Sequence, residues 1–143
     1  MEWSIIFFIV WLIFAIIISY FTIIRGKKAL SIFPEIRNEK VIYRDKKASG
    51  YSTKSWKTKI GGANRSIDVV VTNVELWLRS NLFFAGILKQ YDLVHRISLK
   101  NVTRVNKNGR KLTLDFINDN DESKQVVILT KDPDAFINAL KGN

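Results

Sequence analysis

The hydrophobic pattern of the chain changes abruptly at residue 25. From Trp3 to Ile24 the sequence contains no charged side chain, and apolar residues would occupy every face of a helix. At 1.5 Å per residue such a helix is about 33 Å long, slightly more than the roughly 30 Å apolar core of a bilayer. Trp3 and Tyr20 stand near its two ends, where amphipathic rings favour the headgroup layer. We therefore predict a transmembrane anchor over residues 1–24.

A cleaved secretory signal and a soluble core helix both fit this segment less well. A cleaved signal would have a basic start, a shorter apolar core and small residues at a cleavage site, whereas this N-terminus carries Glu2 and no early Lys or Arg. A core helix of a soluble domain would show a polar face. Arg25, Lys27 and Lys28 follow the apolar run directly. By the positive-inside rule, the sequence predicts a single-pass protein of the cell membrane with its N-terminus outside and its C-terminal domain in the cytoplasm.

Residues 25–39 are predicted to be a basic juxtamembrane linker. Pro34 ends any helix that continues from the anchor and favours an extended conformation for Phe33. Two placements of Leu30, Ile32 and Phe33 fit the sequence equally well: in the membrane interface, or packed on the following domain.

Short runs of β-type residues begin at Lys40 and predict a mainly-β domain over residues 40–143. Ile67, Val69 and Val71 alternate with other positions, as expected of a half-buried strand. Asn108-Gly109 separates two such runs and predicts a hairpin with a type I′ turn. Asp132 and Pro133 mark the start of a C-terminal helix. The pattern indicates about six or seven antiparallel strands followed by one helix.

Three segments resemble GRAM-like and bacterial pleckstrin-homology-like (PH-like) domains. They are Asp68–Leu78, with two apolar strands around a Thr-Asn turn, Ile97–Val105, and the closing run DPDAFINAL. The resemblance covers roughly residues 39–141. It implies two nearly orthogonal antiparallel sheets, of about six or seven strands together, capped at one corner by the C-terminal α-helix.

The charge of the chain narrows the classes of partner. The net charge is +10, and the acids between Arg25 and Arg65 are Glu35, Glu39 and Asp45 against many more Lys and Arg. A basic surface favours anionic lipid, an acidic protein or nucleic acid. The chain contains no cysteine, which excludes a disulfide framework and thiolate sites.

Two stretches are candidates for binding. The first combines an aromatic ring with basic side chains, which suits contact with anionic lipid headgroups: Lys54, Trp56, Lys57 and Lys59. The second is almost entirely apolar and would bind a partner or the membrane if it were an exposed loop, but would belong to the core if it were a buried strand or helical turn. Its apolar residues are Leu82, Phe83, Phe84, Ile87 and Leu88.

The sequence predicts no enzyme. His95, the one histidine, lies in a strand-like run with no cysteine anywhere in the chain, and no nucleotide-binding glycine motif or hydrolase motif is present. The acidic run Asn118–Glu122 lacks the spacing of an EF-hand and is interpreted as a hairpin turn, so we expect neither a metal nor another cofactor.

We therefore expect a non-enzymatic, membrane-anchored PH-like module that binds a protein partner or scaffolds a membrane complex on the cytoplasmic face. Binding of anionic phospholipid headgroups is the first alternative. Binding of nucleic acid through the basic surface is the second, and the anchor makes it less favourable.

Overall fold

The computed structural model describes residues 2–36 and 40–142. The predicted boundary between linker and domain lies between Glu39 and Lys40, and Glu39 is outside the described residues. Within these ranges the chain forms four α-helices and seven strands. In chain order they are α1 (Glu2–Leu30), β1 (Val41–Ser52), α2 (Trp56–Ile60), β2 (Ala63–Thr72), β3 (Glu75–Arg79), α3 (Leu82–Gln90), β4 (His95–Ser98), β5 (Val102–Asn108), β6 (Lys111–Ile117), β7 (Ser123–Leu129) and α4 (Pro133–Lys141).

Helix α1 extends beyond the apolar segment. It has 29 residues and continues past Ile24 through the basic positions to Leu30. A backbone hydrogen bond from Phe33 N to Leu30 O (3.1 Å) forms a turn after the helix, and Pro34 follows. Among the described residues, one helix near the N-terminus therefore has the length and the apolar composition needed to cross a membrane.

The strands form one antiparallel sheet, in the order β4-β3-β2-β1-β7-β6-β5 within the described residues. The expectation of two separate sheets was therefore wrong. Strand β1 is 12 residues long, and it pairs with β2 along most of its length and with β7 from Ser49 to Ser52. Register shifts along β1 allow it to bend, and this continuous strand joins the two halves.

The sheet curls around a single large cluster of buried side chains. Ile67 and Leu78 on one side of the strand order share this cluster with Leu114 and Ile128 on the other. The ring of His95 in β4 lies 5.0 Å from the ring of Phe116 in β6, although the two strands do not pair. The two ends of the strand order are thus brought together by the curvature of the sheet.

Helix α4 packs on this core as the sequence predicts. The side chain of Asp132 accepts a hydrogen bond from Ala135 N (3.0 Å), and Pro133 occupies the first turn. Phe136 is fully buried, with its ring 5.6 Å from the ring of Tyr43. The predicted C-terminal helix is confirmed.

The predicted hairpin is also confirmed, but its turn differs. Asn108 pairs with Lys111, so the two loop residues are Gly109 and Arg110. The positive φ of 61° falls at Gly109, the first loop position, where a type II′ turn requires glycine. Asn108 instead remains in the ladder.

Candidate functional site

Most of the large apolar side chains of α1 are exposed. Trp3 is 84% exposed and Tyr20 is 63% exposed. Arg25, Lys27 and Lys28 are exposed as well, at the end of the helix where the sequence places them. The predicted anchor and interface residues thus lie on one helix, which has an exposed apolar surface and a basic C-terminal end.

Helix α3 packs against α1 at this basic end. Gly26 is buried, and a Cβ atom there would overlap the carbonyl oxygen of Leu82 at the start of α3. A Cβ atom at Gly86 would lie 2.9 Å from Cβ of Arg25. Small residues at both positions let the two helix backbones approach closely, as in membrane helix pairs.

The stretch Leu82–Leu88 therefore belongs to a helix, and its side chains divide between two environments. Asn81 caps the helix by accepting a hydrogen bond from Phe84 N (3.0 Å). Leu88 is buried in the core, and Leu82 is half-buried beside α1. Phe83, Phe84 and Ile87 are 57%, 50% and 48% exposed. Neither of the two simple predictions, exposed loop or pure core, describes this segment fully.

The segment after α1 is docked on the outer face of the sheet. Trp77 points away from Leu76 and Leu78, yet it has no exposed surface, and the ring of Phe33 lies 6.1 Å from its ring. The guanidinium of Arg79 lies 5.8 Å from the Phe33 ring. Of the two placements that the sequence left open for Phe33, the structure has the one on the domain.

A polar cluster fixes the same contact. The carboxylate of Glu75 accepts hydrogen bonds from the indole N–H of Trp77 (2.7 Å) and from Arg96 Nε (2.8 Å), while Arg96 Nη1 donates to the carbonyl of Ile32 (3.1 Å). Burial alone would raise the pKa of Glu75, but the hydrogen bonds from Arg96 and Trp77 bring it below its ordinary value. The ionised carboxylate of Glu75, in β3, therefore holds Arg96 of β4, and Arg96 in turn binds the linker at Ile32.

The predicted lipid-contact residues lie in a short helix and in the bend that precedes it. Ser55 and Thr58 form a capping box at the start of α2, which explains why the chain turns helical there. Trp56 is 69% exposed and Ile60 is 77% exposed, one helical turn apart. Lys54, Lys57 and Lys59 are exposed around them, with the Lys57 ammonium 5.9 Å from the Trp56 ring.

The structure brings this stretch beside α3, which the sequence did not reveal. A Cβ atom at Gly61, which ends α2, would overlap the ring of Tyr91, which ends α3. The two candidate stretches of the sequence are therefore neighbours.

A basic groove lies elsewhere, between β1, the start of β2, the β5–β6 turn and the end of β7. Its volume is about 850 Å³. Its basic lining residues are Arg44, Lys46, Lys47, Arg65, Arg110 and Lys131. Arg44 is ion-paired with Asp68 (2.8 Å). None of the other five takes part in a salt bridge among the described residues.

The shape of β1 explains why several of these side chains converge. In a regular strand, neighbouring side chains point to opposite faces of the sheet. A register shift between Asp45 and Ala48 interrupts this alternation, and Lys46 and Lys47 are both exposed. Arg65 has a positive φ of 51°, and its N–H donates to the Ser49 hydroxyl (2.8 Å). This irregular backbone brings basic residues from two strands to one groove.

Asp45 is an acidic residue of the groove lining. It is buried, and its two carboxylate oxygens accept hydrogen bonds from Lys47 N (3.0 Å) and Lys131 N (2.8 Å). Both bonds come from backbone N–H groups, so the carboxylate ties β1 to the segment that follows β7. No local sequence pattern indicates this contact, because the two partners are far apart along the chain.

His95 lies in a buried polar cluster. Its Nε2–H donates to the carbonyl oxygen of Asp92 (2.7 Å), and the Asp92 carboxylate also accepts from Lys124 Nζ (2.7 Å) and, more weakly, from the Ser52 hydroxyl (3.3 Å). Burial lowers the pKa of His95, and the nearby Asp92 carboxylate partly opposes this effect. These contacts hold the turn after α3 against β1 and β7.

The acidic run Asn118–Glu122 forms the loop between β6 and β7. The side-chain oxygen of Asn118 accepts hydrogen bonds from Asn120 N (3.0 Å) and Glu122 N (2.8 Å), and its amide nitrogen donates to the Glu122 carboxylate (2.8 Å). The loop is thus closed by its own side chains. Within residues 2–36 and 40–142, no group of three or more metal-ligating side chains is found.

No protein-family model matches the chain, and no curated protein matches it either.

Proposed function

We propose that this chain is a single-pass membrane protein whose PH-like domain lies in the cytoplasm and binds an acidic segment of a partner protein, without catalysing a reaction. The observation that carries the proposal is the basic groove defined above. The groove has a volume of about 850 Å³, and the carboxylate of Asp45, which is part of its lining, is already engaged by backbone N–H groups. Five of its cations form no salt bridge within the described part of the chain: Lys46, Lys47, Arg65, Arg110 and Lys131.

The β7 side of the groove lies away from the end of α3, where an acidic protein segment has access to it. Strand β7 begins at Ser123, near the Asp92 cluster and the end of α3, and it ends at Leu129, in the groove. At about 3.3 Å per residue these two ends are about 20 Å apart. The β7 side of the groove is therefore separated from the end of α3, whereas its Arg44 side reaches Asp68, which Arg79 beside Phe33 also contacts.

The rigid connection to α1 gives such a module a use. Phe33 on Trp77 and Gly26 on Leu82 connect the anchor to the domain at two places. A partner held in the groove would then be presented at a fixed position relative to the membrane. This suits a scaffold in a membrane complex better than a freely swinging tether would.

The partner-binding proposal is tested by crosslinking and affinity capture of the tagged full-length protein from membranes. The groove variant carries Lys47→Glu and Arg65→Glu, and the control carries Lys100→Glu and Lys141→Glu, which are exposed and change the net charge equally. We expect the groove variant alone to lose the captured partner, and high salt to weaken capture by the wild type. Equal capture by both variants would exclude the groove, and capture that disappears after nuclease treatment would indicate nucleic acid instead.

The proposed topology has a separate test. With a tag at the C-terminus, protease added to intact cells or spheroplasts should leave the tag uncut, because the basic end of α1 favours the cytoplasmic side. Digestion of the tag in intact spheroplasts would contradict the cytoplasmic placement of the domain.

Binding of anionic lipid headgroups is a second candidate function. It is supported by α2, where the exposed ring of Trp56 stands among Lys54, Lys57 and Lys59. Each such cation close to an anionic leaflet contributes about 1 kcal/mol to membrane binding.

A further inference from the structure

Helix α3 packs on α1 at Arg25 and Gly26 and faces the end of the apolar segment across an open groove. A groove of about 240 Å³ between the two helices is lined by Ile18, Phe21 and Thr22 of α1 and by Phe83, Ile87 and Gln90 of α3. Ile18 and Phe21 belong to the uncharged run, and Gly26, about 12 Å beyond Ile18 at 1.5 Å per residue, contacts the start of α3. Helix α3 therefore lies beside the last turns of the apolar segment.

This position places the groove-facing side of α3 at the cytoplasmic edge of the bilayer. Trp3–Ile24 is about 33 Å long, so a bilayer with a core of roughly 30 Å takes up nearly the whole segment. The part of α1 that lines the groove with α3 must then lie in or at the edge of the cytoplasmic leaflet. The side chains of α3 that line this groove therefore face the edge of that leaflet.

The outer face of α3 has the chemistry that such a position needs. Phe83, Phe84 and Ile87 fall on one side of the helix and are each about half exposed, while Ala85 and Leu88 on the other side are buried. In water this surface would be an apolar patch whose exposure is unfavourable. In a leaflet the same side chains would contact lipid chains, and this cost would be absent.

Helix α2 adds the charge expected at headgroup level. It adjoins the end of α3 through Gly61 and Tyr91, and it presents the exposed side chains of Trp56 and Ile60 among lysines. Aromatic rings with flanking cations favour the interface of an anionic leaflet. The charge thus complements a membrane surface next to the end of α3.

We infer that α3 is a membrane-inserted helix: Phe83, Phe84 and Ile87 enter the cytoplasmic leaflet beside α1, and α2 rests on the anionic headgroups. The inference rests on the proposed membrane anchor. It replaces the expectation that Leu82–Leu88 binds a protein partner, because a protein in the cytosol would have to displace lipid to reach this face. The domain then has two attachments to one leaflet, which fix its tilt and its rotation about α1.

The absence of native cysteines permits a direct test on the full-length protein. Single cysteines at Phe84, Ile87 or Ile60 are labelled with an environment-sensitive fluorophore, and each protein is reconstituted into phosphatidylcholine vesicles with or without phosphatidylglycerol. Quenching by spin-labelled lipids is measured for each site. Asn73→Cys, in the exposed turn at the other end of β3, is the matched control outside the leaflet, and Ile13→Cys reports the anchor itself.

We expect labels at residues 84 and 87 to be quenched several-fold more strongly by lipids with a shallow spin label than the label at residue 73. The label at residue 60 should show this quenching mainly when phosphatidylglycerol is present. Quenching at residue 13 with none at 84 or 87 would overturn the inference and leave the anchor intact. No quenching at residue 13 would overturn the anchor as well. Labels at 84 and 87 that are shielded from aqueous iodide but not quenched by lipid would show a protein cover and would also overturn the inference. Unfolding midpoints equal to wild type show that each labelled variant is folded.

Discussion

The ring of Phe33 packs on the ring of Trp77, with their centroids 6.1 Å apart, and thereby covers a tryptophan on the outer face of the sheet. Trp77 is fully buried although it points away from the main core, so the residues after α1 supply part of its cover. The link between anchor and domain is therefore a packed contact and not a free tether.

Replacing Phe33 with Ala should loosen this link. The substitution removes the ring that covers Trp77, and because Phe33 remains partly exposed, the free energy of unfolding of the domain should fall by about 1–2 kcal/mol, less than for a fully buried phenylalanine. Urea unfolding of the full-length protein in detergent, followed by tryptophan fluorescence, measures the change. Ile42→Ala, at an exposed position of β1, is the control, and equal midpoints for the two variants would show that the Phe33 contact does not stabilise the domain.

The close approach of α1 and α3 predicts a disulfide that can be engineered. Cysteines at Arg25 and Gly86 should crosslink readily on oxidation, because the Cβ positions of these residues nearly touch and need move apart by only about 1 Å to reach disulfide geometry. The pair of Lys28→Cys with Gly86→Cys, on the exposed side of α1, should not crosslink.

Adding Gly26→Leu to the first pair should strongly reduce crosslinking. The leucine side chain would overlap the backbone carbonyl of Leu82, so the helices must separate. Gel mobility after oxidation measures each result. Unchanged crosslinking in the presence of Gly26→Leu would contradict the close packing of the two helices.

The sequence predicted the features that depend on neighbouring residues. The β5–β6 hairpin follows from a glycine between two β-type runs, and the start of α4 follows from Asp132 and Pro133. Even here the turn moved by one residue, because strand pairing extends to Asn108 and leaves Gly109 as the position with positive φ. Local signals identify such elements reliably and their exact ends less well.

Features that depend on distant residues were not predictable from the sequence. The run Leu82–Leu88 shows no single apolar stripe, because one side of α3 packs on the core and α1 while Phe83, Phe84 and Ile87 remain apolar on the outside. The basic groove requires a register shift in β1 and the contact of Asp45 with Lys131, which no local pattern encodes. The single sheet likewise depends on the long β1, which pairs with both β2 and β7, and the sequence had predicted two sheets.

Asp45→Ala should destabilise the domain and disturb the basic groove. The change leaves the part-buried N–H groups of Lys47 and Lys131 without their acceptors, which costs at most about 1–3 kcal/mol per unsatisfied group before any rearrangement. Asp45→Asn keeps one acceptor oxygen and should lose less. The urea midpoint is the measurement, with Asp119→Ala in the exposed β6–β7 loop as control. A midpoint for Asp45→Ala equal to that of the control would show that these bonds contribute nothing to stability.

The burial of His95 predicts a dependence of stability on pH. Burial lowers the pKa of His95 below 6.5; the Asp92 carboxylate opposes this shift, and Lys124 and Lys54 add to it. Between the folded and unfolded pKa values, the unfolded chain binds more protons at this site than the folded chain does. The free energy of unfolding therefore falls as the pH drops through about 6.5 and is unaffected by this group at higher pH.

The variant His95→Gln, which cannot titrate, isolates this effect. Both proteins share every carboxylate, so the general effect of acid cancels when their free energies of unfolding are subtracted. From about pH 7.5 to about pH 5.5 the wild type should lose stability relative to the variant, with a slope of at most about 1.4 kcal/mol per pH unit. Urea unfolding at a series of pH values measures this difference. A difference that stays constant over the range, or one that grows in the opposite direction, would mean that the buried imidazole is not held in its neutral form by the fold.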